Sequence, residues 1–223
     1  MITFDVLCIG MACLDHYYFL DEHPKEDEKI VARGKISAGG GPACTAAYTV
    51  SRLGGSSLLM ANIGKDNAGD QIIRELESIG TEVSGIIQEA IQTAESTILV
   101  KSNGLRSVLS YKPKDILLSS NKELDCKAKV VLYDGHQHLI SKIHAEETES
   151  IKVLDAGSVH EGTLALLDSV DWIVASQKFA CQFSGSADID VALTKIKKHC
   201  DNVLITLGNK GVVWDVAGEK GEM

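Results

Sequence analysis

The chain has 223 residues and a formal net charge of −9 at pH 7, and 44% of its residues are hydrophobic. These values suit one globular α/β domain, and the acidic balance argues against nucleic acid or an anionic membrane as the main partner, since both attract basic surfaces. No stretch approaches the roughly 20 apolar residues that cross a bilayer, and the six cysteines are scattered without a Cys-x-x-Cys pair. We therefore expect a cytoplasmic protein with reduced thiols.

Short apolar runs predict the strands of a buried sheet. The first covers residues 4–10, and later runs cover residues 130–133, 152–154, 172–175 and 203–206. They show no clean alternation of apolar and polar residues, which is typical of parallel strands covered on both faces. Amphipathic helical patterns over residues 70–79 and 188–199 lie between them. This alternation predicts an open, mostly parallel α/β sheet with helices on both faces.

Three consecutive glycines occupy residues 39–41, and Pro42 then opens a helix of small residues that stops at Gly54. Glycines allow a ligand to approach the main chain closely, and proline suits the first helical position. The free N–H groups of such a helix start can bind a hydroxylated or anionic ligand. The same residues also suit a tight turn that binds nothing.

Acidic residues follow two of the predicted strands. Asp15 comes after the first run, and Asp134 follows residues 130–133. Ligands of open α/β sheets bind at the carboxyl ends of strands, where a carboxylate can accept two hydroxyls of a vicinal diol. Asp15 also fits a solvated loop position. His136 and His138 form a His-x-His pattern, but no carboxylate or cysteine at ligand spacing supports a zinc site.

Two segments do not fit the parallel sheet. Residues 29–36 have the pattern of an exposed strand, and the runs 96–101 and 105–111 flank Asn103 and Gly104. Asn-Gly between two alternating runs is a strong hairpin signal. The segments form either a small separate sheet or an ordinary surface hairpin.

Together with residues 39–41, the segment Gly-Lys-Asp-Asn-Ala-Gly at residues 64–69 resembles the N-terminal signature of the PfkB (ribokinase-like) carbohydrate kinases. The resemblance runs from about residue 4 to the last residues. It implies one ribokinase-like α/β domain over residues 1–223, with a small β-sheet lid from about 16–37 and 95–112. In that family the lid closes over substrate and often forms a homodimer contact.

The resemblance also assigns site residues by position. Those implied for the sugar are Asp15, Gly40, Gly41, Thr45, Arg106 and Asp134. Those implied for ATP are Ser176, Thr206, Gly208 and Gly211. Asp155 is implied either to reach a Mg²⁺-bound water or to cap the next loop. Cys44 stands where ribokinase has a sugar-binding asparagine, and Phe179 stands where the family has a glutamate and is expected in the core.

The activity implied is Mg²⁺-dependent transfer of the ATP γ-phosphate to a hydroxyl of a sugar or sugar derivative. The sequence has no Walker A motif and no Gly-x-Gly-x-x-Gly, which argues against a P-loop NTPase and a conventional Rossmann dehydrogenase. Ser176 stands where most of the family has an asparagine. The ketohexokinase- and sulfofructose-kinase-like branches are the most similar, because they too have a serine at the corresponding point.

The family's Asp-Thr-x-Gly-Ala-Gly-Asp segment, whose last aspartate is the catalytic base, is absent from these residues. Because that segment stabilises the transferring phosphoryl group, we expect a C-terminally incomplete kinase that is inactive as this chain alone. The alternatives are a nucleoside kinase of the same fold, a non-catalytic sugar-binding protein, and a different α/β enzyme whose glycine motif is coincidental.

Overall fold

The structure is a computed structural model that describes residues 2–113, 117 and 126–223. In chain order the strands are β1 (Ile2–Ile9), β2 (Cys13–Leu20), β3 (Gly34–Gly40), β4 (Ser57–Met60), β5 (Asn62–Gly64), β6 (Ile87–Glu89), β7 (Glu95–Lys101), β8 (Arg106–Tyr111), β9 (Cys126–Tyr133), β10 (Ile151–Ala156), β11 (Trp172–Ser176), β12 (Asn202–Thr206), β13 (Val212–Val216) and β14 (Glu219–Glu222). The helices are α1 (Pro42–Arg52), α2 (Asn67–Glu77), α3 (His138–Glu147), α4 (Glu161–Leu166), α5 (Gln177–Ser184) and α6 (Ile189–Ile196).

The main sheet has eight strands in the order β14-β13-β12-β11-β10-β9-β1-β4. The six strands from β12 to β4 are parallel, and β13 and β14 add an antiparallel edge. All five apolar runs predicted as strands lie in this sheet. Since connections between parallel strands cross over the sheet, their carboxyl ends meet at one edge.

Helices cover both faces of the sheet. On one face, α1 and α2 bury small and branched residues against Cys8 and Leu59. On the other face, α3 to α6 pack against Leu7, Ile9 and Tyr133. Alternation along a strand explains why neighbours such as Leu7 and Cys8 belong to different clusters. The ribokinase-like α/β fold expected from the sequence is confirmed.

Helix ends follow the expected capping chemistry. The Asp66 side chain caps α2 by accepting a hydrogen bond from Gly69 N, and Asp188 caps α6 in the same way. Helix α5 ends at Gly185, whose φ of 73° is the left-handed conformation that glycine tolerates. Within the described parts of the chain, every helix is too short or too polar to cross a membrane.

A second sheet has four strands in the order β3-β2-β7-β8, and we call it the lid. Its β7–β8 hairpin turns at Gly104, with φ of 83°, as the Asn-Gly pair predicts. The strand predicted over residues 29–36 is shifted, because β3 begins at Gly34 and runs on through Gly40. Asp15 lies within β2 rather than in a loop after β1.

Substitution of Phe179 tests the packing between α5 and the main sheet. It is fully buried and stacks on Phe183 with ring centroids 5.6 Å apart. We expect Phe179→Ala to lower the free energy of unfolding by about 3–5 kcal/mol, because it opens a cavity in a packed core. Val191→Ala, at a side chain that is 50% exposed, serves as the control and should change it by less than about 0.5 kcal/mol. Equal urea midpoints for both variants would contradict this packing.

Candidate functional site

The carboxylate of Asp134 lies at the centre of the sheet edge, where β9 ends. Its Oδ2 accepts hydrogen bonds from Met11 N at 2.8 Å and Ala43 N at 3.2 Å, and its Oδ1 accepts one from His136 N at 2.8 Å. The side chain is buried, and burial raises the pKa of Asp134 while the three N–H groups oppose that rise. Asp134 therefore joins the β1–β2 connection, the start of α1 and the end of β9.

Two glycines make room for this carboxylate and its loop. A Cβ at Gly10 would overlap the Asp134 carboxyl group. A Cβ at Gly135, with φ of 78°, would approach the α4 backbone at Thr163 N to 2.7 Å. Neither position accepts a side chain without displacing a neighbour, so the loop after β9 has one tightly packed conformation.

The glycines before α1 are required by close contacts with the first lid strand. A Cβ at Gly40 would overlap the carboxyl group of Asp15. Gly41 has φ of 91°, and a Cβ there would press against the backbone oxygen of Met11. These contacts explain why residues 40 and 41 are glycines, and they place Asp15 beside the start of α1.

A cavity of about 860 Å³ lies between the lid and the carboxyl ends of the strands, and we call it the lid cavity. Of the residues predicted to bind sugar, Asp15, Gly41, Thr45 and Arg106 line it, and so does Asp155. Asp134 lies buried beside it with its oxygens on backbone N–H groups, and Gly40 packs behind Asp15. The structure thus brings residues from β2, α1, β8 and β10 to one space.

The Asp15 carboxylate is held from both sides. Its Oδ1 accepts a hydrogen bond from Cys13 Sγ at 3.3 Å, and its Oδ2 accepts one from Tyr17 OH at 3.3 Å. Burial and the Asp15 charge raise the pKa values of both partners, so both stay protonated as donors. Each carboxylate oxygen accepts more than one hydrogen bond, so room remains for ligand hydroxyls.

Thr45 lies in the lid cavity, whereas Cys44 points elsewhere. Cys44 is 2% exposed and lines a separate space of about 410 Å³ with Glu75. Burial raises the pKa of Cys44 to about 12, so it is a neutral thiol. Glu75 Oε2 accepts a hydrogen bond from Gly39 N at 2.6 Å, which fixes the glycine segment from behind.

Asp155 on β10 and His136 after β9 are half-buried. Burial, followed by the nearby Asp134 charge, raises the pKa of Asp155. His136 lines the lid cavity and stacks on His160 with centroids 4.8 Å apart. Burial, helped by Lys112, lowers the pKa of His136 to about 4, so its ring is neutral. In the described residues, no three His, Cys, Asp or Glu side chains form a metal-binding group.

The residues predicted for ATP lie farther along the same edge. Ser176 Oγ accepts a hydrogen bond from Phe179 N at 3.0 Å and donates one to Gly157 O at 2.8 Å, so it caps α5. Thr206 is exposed at the end of β12. Gly208 has φ of 65° with open space at its Cβ position, and Gly211 packs against the Met223 backbone.

The segment at residues 64–69 supports the lid instead of entering the cavity. Thr93 N and Oγ1 donate hydrogen bonds to the Asp66 carboxylate at 2.8 Å and 2.6 Å. Thr93 leads into Ala94, whose carbonyl accepts a hydrogen bond from Leu14 N at 2.9 Å. The segment therefore fixes the entry to β7 next to β2.

Lys112 and His136 line the lid cavity although the sequence does not predict them there, and Tyr17, which the sequence offers only as a candidate aromatic partner of a base, lines it too. Tyr17 is two residues from Asp15 on a strand, so a correct strand assignment places both on one face. Lys112 continues the alternation of Val108 and Ser110 beyond β8. His136 was considered only as part of a zinc pattern.

Comparisons with known proteins identify the family and the fold of the chain. Residues 3–222 match the family described as pfkB family carbohydrate kinase. The deoxyribokinase of Salmonella typhimurium is 24% identical, and the match covers 94% of this chain and 74% of that protein. The fructokinase-2 of Solanum lycopersicum is 27% identical, with 81% of this chain and 63% of that protein covered.

Among solved structures, a putative ribokinase from Agrobacterium tumefaciens superposes with a TM-score of 0.86 at 25% identity. That match covers 98% of this chain and 75% of the other. The chain thus spans between about three fifths and three quarters of the length of these proteins.

Because Asp134 accepts three backbone hydrogen bonds, we expect its replacement to reduce stability more than the replacement of Asp155 on the neighbouring strand β10. In Asp134→Asn an amide N–H₂ replaces one acceptor oxygen, so at least one buried backbone N–H loses its partner. We expect the free energy of unfolding to fall by about 1–3 kcal/mol. Asp155→Asn is the matched control. Burial and the Asp134 charge disfavour the ionised form of Asp155, so the free energy of unfolding of this variant should stay the same or rise slightly. Urea denaturation measures both, and similar losses would contradict the role given to Asp134.

Proposed function

Because the chain belongs to the pfkB family of carbohydrate kinases, we propose that it serves the transfer of the terminal phosphoryl group of ATP to a hydroxyl of a sugar or sugar derivative. In this reaction the bond from the γ-phosphorus to the β–γ bridging oxygen breaks. A bond from phosphorus to the sugar oxygen forms, and the hydroxyl proton is released. The observation that supports the proposal is the lid cavity, where Asp15, Gly41 and Thr45 come together.

The sugar end of the cavity has the chemistry that a polyol needs. Asp15 accepts hydrogen bonds from two hydroxyls while Cys13 and Tyr17 keep its carboxylate oriented. Gly41 leaves its backbone uncovered, and Thr45 offers a hydroxyl from the first turn of α1. Substrate oxygens therefore meet acceptors and donors that are already fixed in place, which lowers the entropic cost of binding.

We propose that ATP binds along the ends of β11 and β12. Gly208 has open space beside its backbone, and Thr206 is an exposed residue whose hydroxyl donates a hydrogen bond to Ala175 O at 3.4 Å and can still accept one. Ser176 shapes this region through its cap on α5, because its own hydroxyl is already bonded on two sides. Gly211 closes the turn between β12 and β13.

Asp155 fits a magnesium ion that keeps most of its waters. Its half-buried carboxyl group lines the lid cavity next to the proposed nucleotide end. Mg²⁺ takes few protein ligands beside nucleotide phosphates, so one carboxylate suffices in this place. When bound, the ion would neutralise charge on the phosphates.

A nucleoside is a second candidate substrate because of one observation. Of the three consecutive aromatic residues at 17–19, Tyr17 lines the lid cavity, where its ring can stack on a base. Its hydroxyl, however, is bonded to Asp15, which favours the simpler sugar assignment. A non-catalytic sugar-binding role is the alternative from another class.

We further propose a homodimer in the cytoplasm, where six free thiols stay reduced. The outer face of the lid exposes Leu109 and Tyr111, at 76% and 54%. Apolar side chains on an exposed sheet face suit association with a second copy.

Replacement of Asp15 tests the sugar site. We expect Asp15→Asn to weaken sugar binding at least about ten-fold, because a charged acceptor of two hydroxyls is lost. Asp21→Asn, at an exposed carboxylate paired with Arg33, is the control and should leave binding unchanged. Calorimetric titration with deoxyribose, ribose, fructose and adenosine measures the affinities, and ADP release in the presence of ATP measures transfer.

The outcomes of that experiment separate the candidates. Sugar binding with ADP release supports the kinase, and adenosine as the preferred ligand supports a nucleoside kinase. Sugar binding without ADP release fits both a sugar-binding protein and the incomplete kinase that the absent base segment predicts; ATP binding to the same chain supports the kinase, and no ATP binding supports the sugar-binding protein. If Asp15→Asn binds every ligand as the unmodified chain does, the sugar site lies elsewhere.

If the outer face of the lid forms the dimer contact, a charged residue placed on that face should disrupt the dimer. We expect Leu109→Glu to convert a dimer into a monomer, since a buried carboxylate in an interface is costly. Leu105→Glu, at an exposed leucine beside the hairpin turn, is the control. Sedimentation velocity distinguishes the two states, and a monomeric unmodified chain would refute the proposed dimer.

A further inference from the structure

The strand order fixes where a phosphoryl group must travel. From the nucleotide end the strands run β12, β11, β10, β9 and β1, and the lid follows from β1. The carboxyl ends of β10 and β9 therefore lie between the residues proposed for ATP and those proposed for the sugar. Asp155 and His136 stand at these two ends, so a group passing from nucleotide to sugar passes them.

Lys112 reaches this same place from the lid. Residues 108 and 110 of β8 face the lid cavity, and Lys112 continues this alternation past the end of the strand. Its ammonium group makes no ion pair with any residue in the described ranges. Lys112 and His136 both line the lid cavity. Burial lowers the pKa of His136 and of His160, and the Lys112 charge lowers both further.

The described groups nearest to this positive charge do not neutralise it. The Asp134 carboxylate points away, toward backbone N–H groups of three segments. Burial and Asp134 disfavour the charged form of Asp155, which weakens it as a partner for the ammonium group. Burial lowers the pKa of both His136 and His160, which favours the neutral form of each ring. An anion that enters the cavity here meets a cation that has no ion-pair partner among residues 2–113, 117 and 126–223.

The geometry points to Lys112 as the residue that binds the terminal phosphate of ATP, and the phosphate of the product, at the point of transfer. This inference rests on the proposed function. The ammonium group carries three N–H donors and matches phosphate oxygens as a point charge. It forms no covalent bond in the reaction. It stabilises charge on the equatorial oxygens while one P–O bond breaks and the other forms.

Arg106 is the other cation of the lid cavity, and it belongs to the opposite end. Lys112 lies six positions after it along one extended segment, which corresponds to about 20 Å. Its charge acts on Tyr17 instead of the histidines. The two cations therefore serve different parts of a bound ligand.

The first test compares ATP with ADP, which lacks the terminal phosphate. Calorimetric titrations use the unmodified chain, Lys112→Ala, and Lys101→Ala as a control that removes the same charge from the other face of the lid. We expect Lys112→Ala to weaken ATP about ten-fold or more and to leave ADP unchanged. Lys101→Ala should change neither. An equal loss for both nucleotides, or no loss for ATP, would overturn the inference.

A second test does not depend on nucleotide binding. Inorganic phosphate is titrated while the ring protons of His136 are followed by NMR as a function of pH. An anion on Lys112 cancels its repulsion of the imidazolium, so the pKa of His136 should rise from about 4. The rise should occur in the unmodified chain and Lys101→Ala and be lost in Lys112→Ala.

These results separate the two proposals. A phosphate response that needs Lys112, together with no binding of ATP or sugar, would keep the anion site and refute the kinase. No response in the unmodified chain, or an equal response in Lys112→Ala, would refute the role of Lys112 while leaving Asp15 and the sugar site untouched.

Discussion

A buried carboxylate holds together the segments on which the whole site depends. Ionised Asp134 would lose a large amount of hydration free energy in the interior, and it recovers part of that through three backbone N–H groups. These donors belong to the connection after β1, the start of α1 and the turn after β9. Because α1 and β2 are fixed in this way, Gly41 lies beside Met11 and Asp15 faces the cavity. The position of the Asp15 carboxylate in the lid cavity thus follows from one interaction outside the cavity wall.

The acidic and basic side chains of the lid cavity lie in different parts of it. Asp15, oriented by a thiol and a phenol, is an acceptor for hydroxyl groups. The cations Arg106 and Lys112 stand at opposite ends of one lid strand, with apolar Val108 and polar Ser110 between them. A molecule with a hydroxylated centre and an anionic end fits this arrangement better than an apolar one. In a chain of net charge −9, such local cations define the attraction of anions more than the overall charge does.

The parts of this structure that the sequence predicts are those governed by local pattern. Apolar runs gave the parallel strands, Asn103 and Gly104 gave the hairpin, and Phe179 is in the core as expected. The resemblance implies Gly40 and Gly41 for the sugar, and the structure adds a second reason for both glycines, the close contacts with Asp15 and Met11. Lys112 is not predicted from the sequence, because a single residue joins a site through the pairing of strands that are distant in sequence.

The contact between Gly10 and the Asp134 carboxyl group also bears on how such a sequence can change over time. A larger residue at position 10 becomes acceptable only after position 134 shortens, and a shorter residue at 134 leaves three backbone N–H groups without an acceptor. Gly40 and Asp15 constrain each other similarly. Across descendants of this chain, each pair should be inherited as a unit, so substitutions at one member will be accompanied by substitutions at the other.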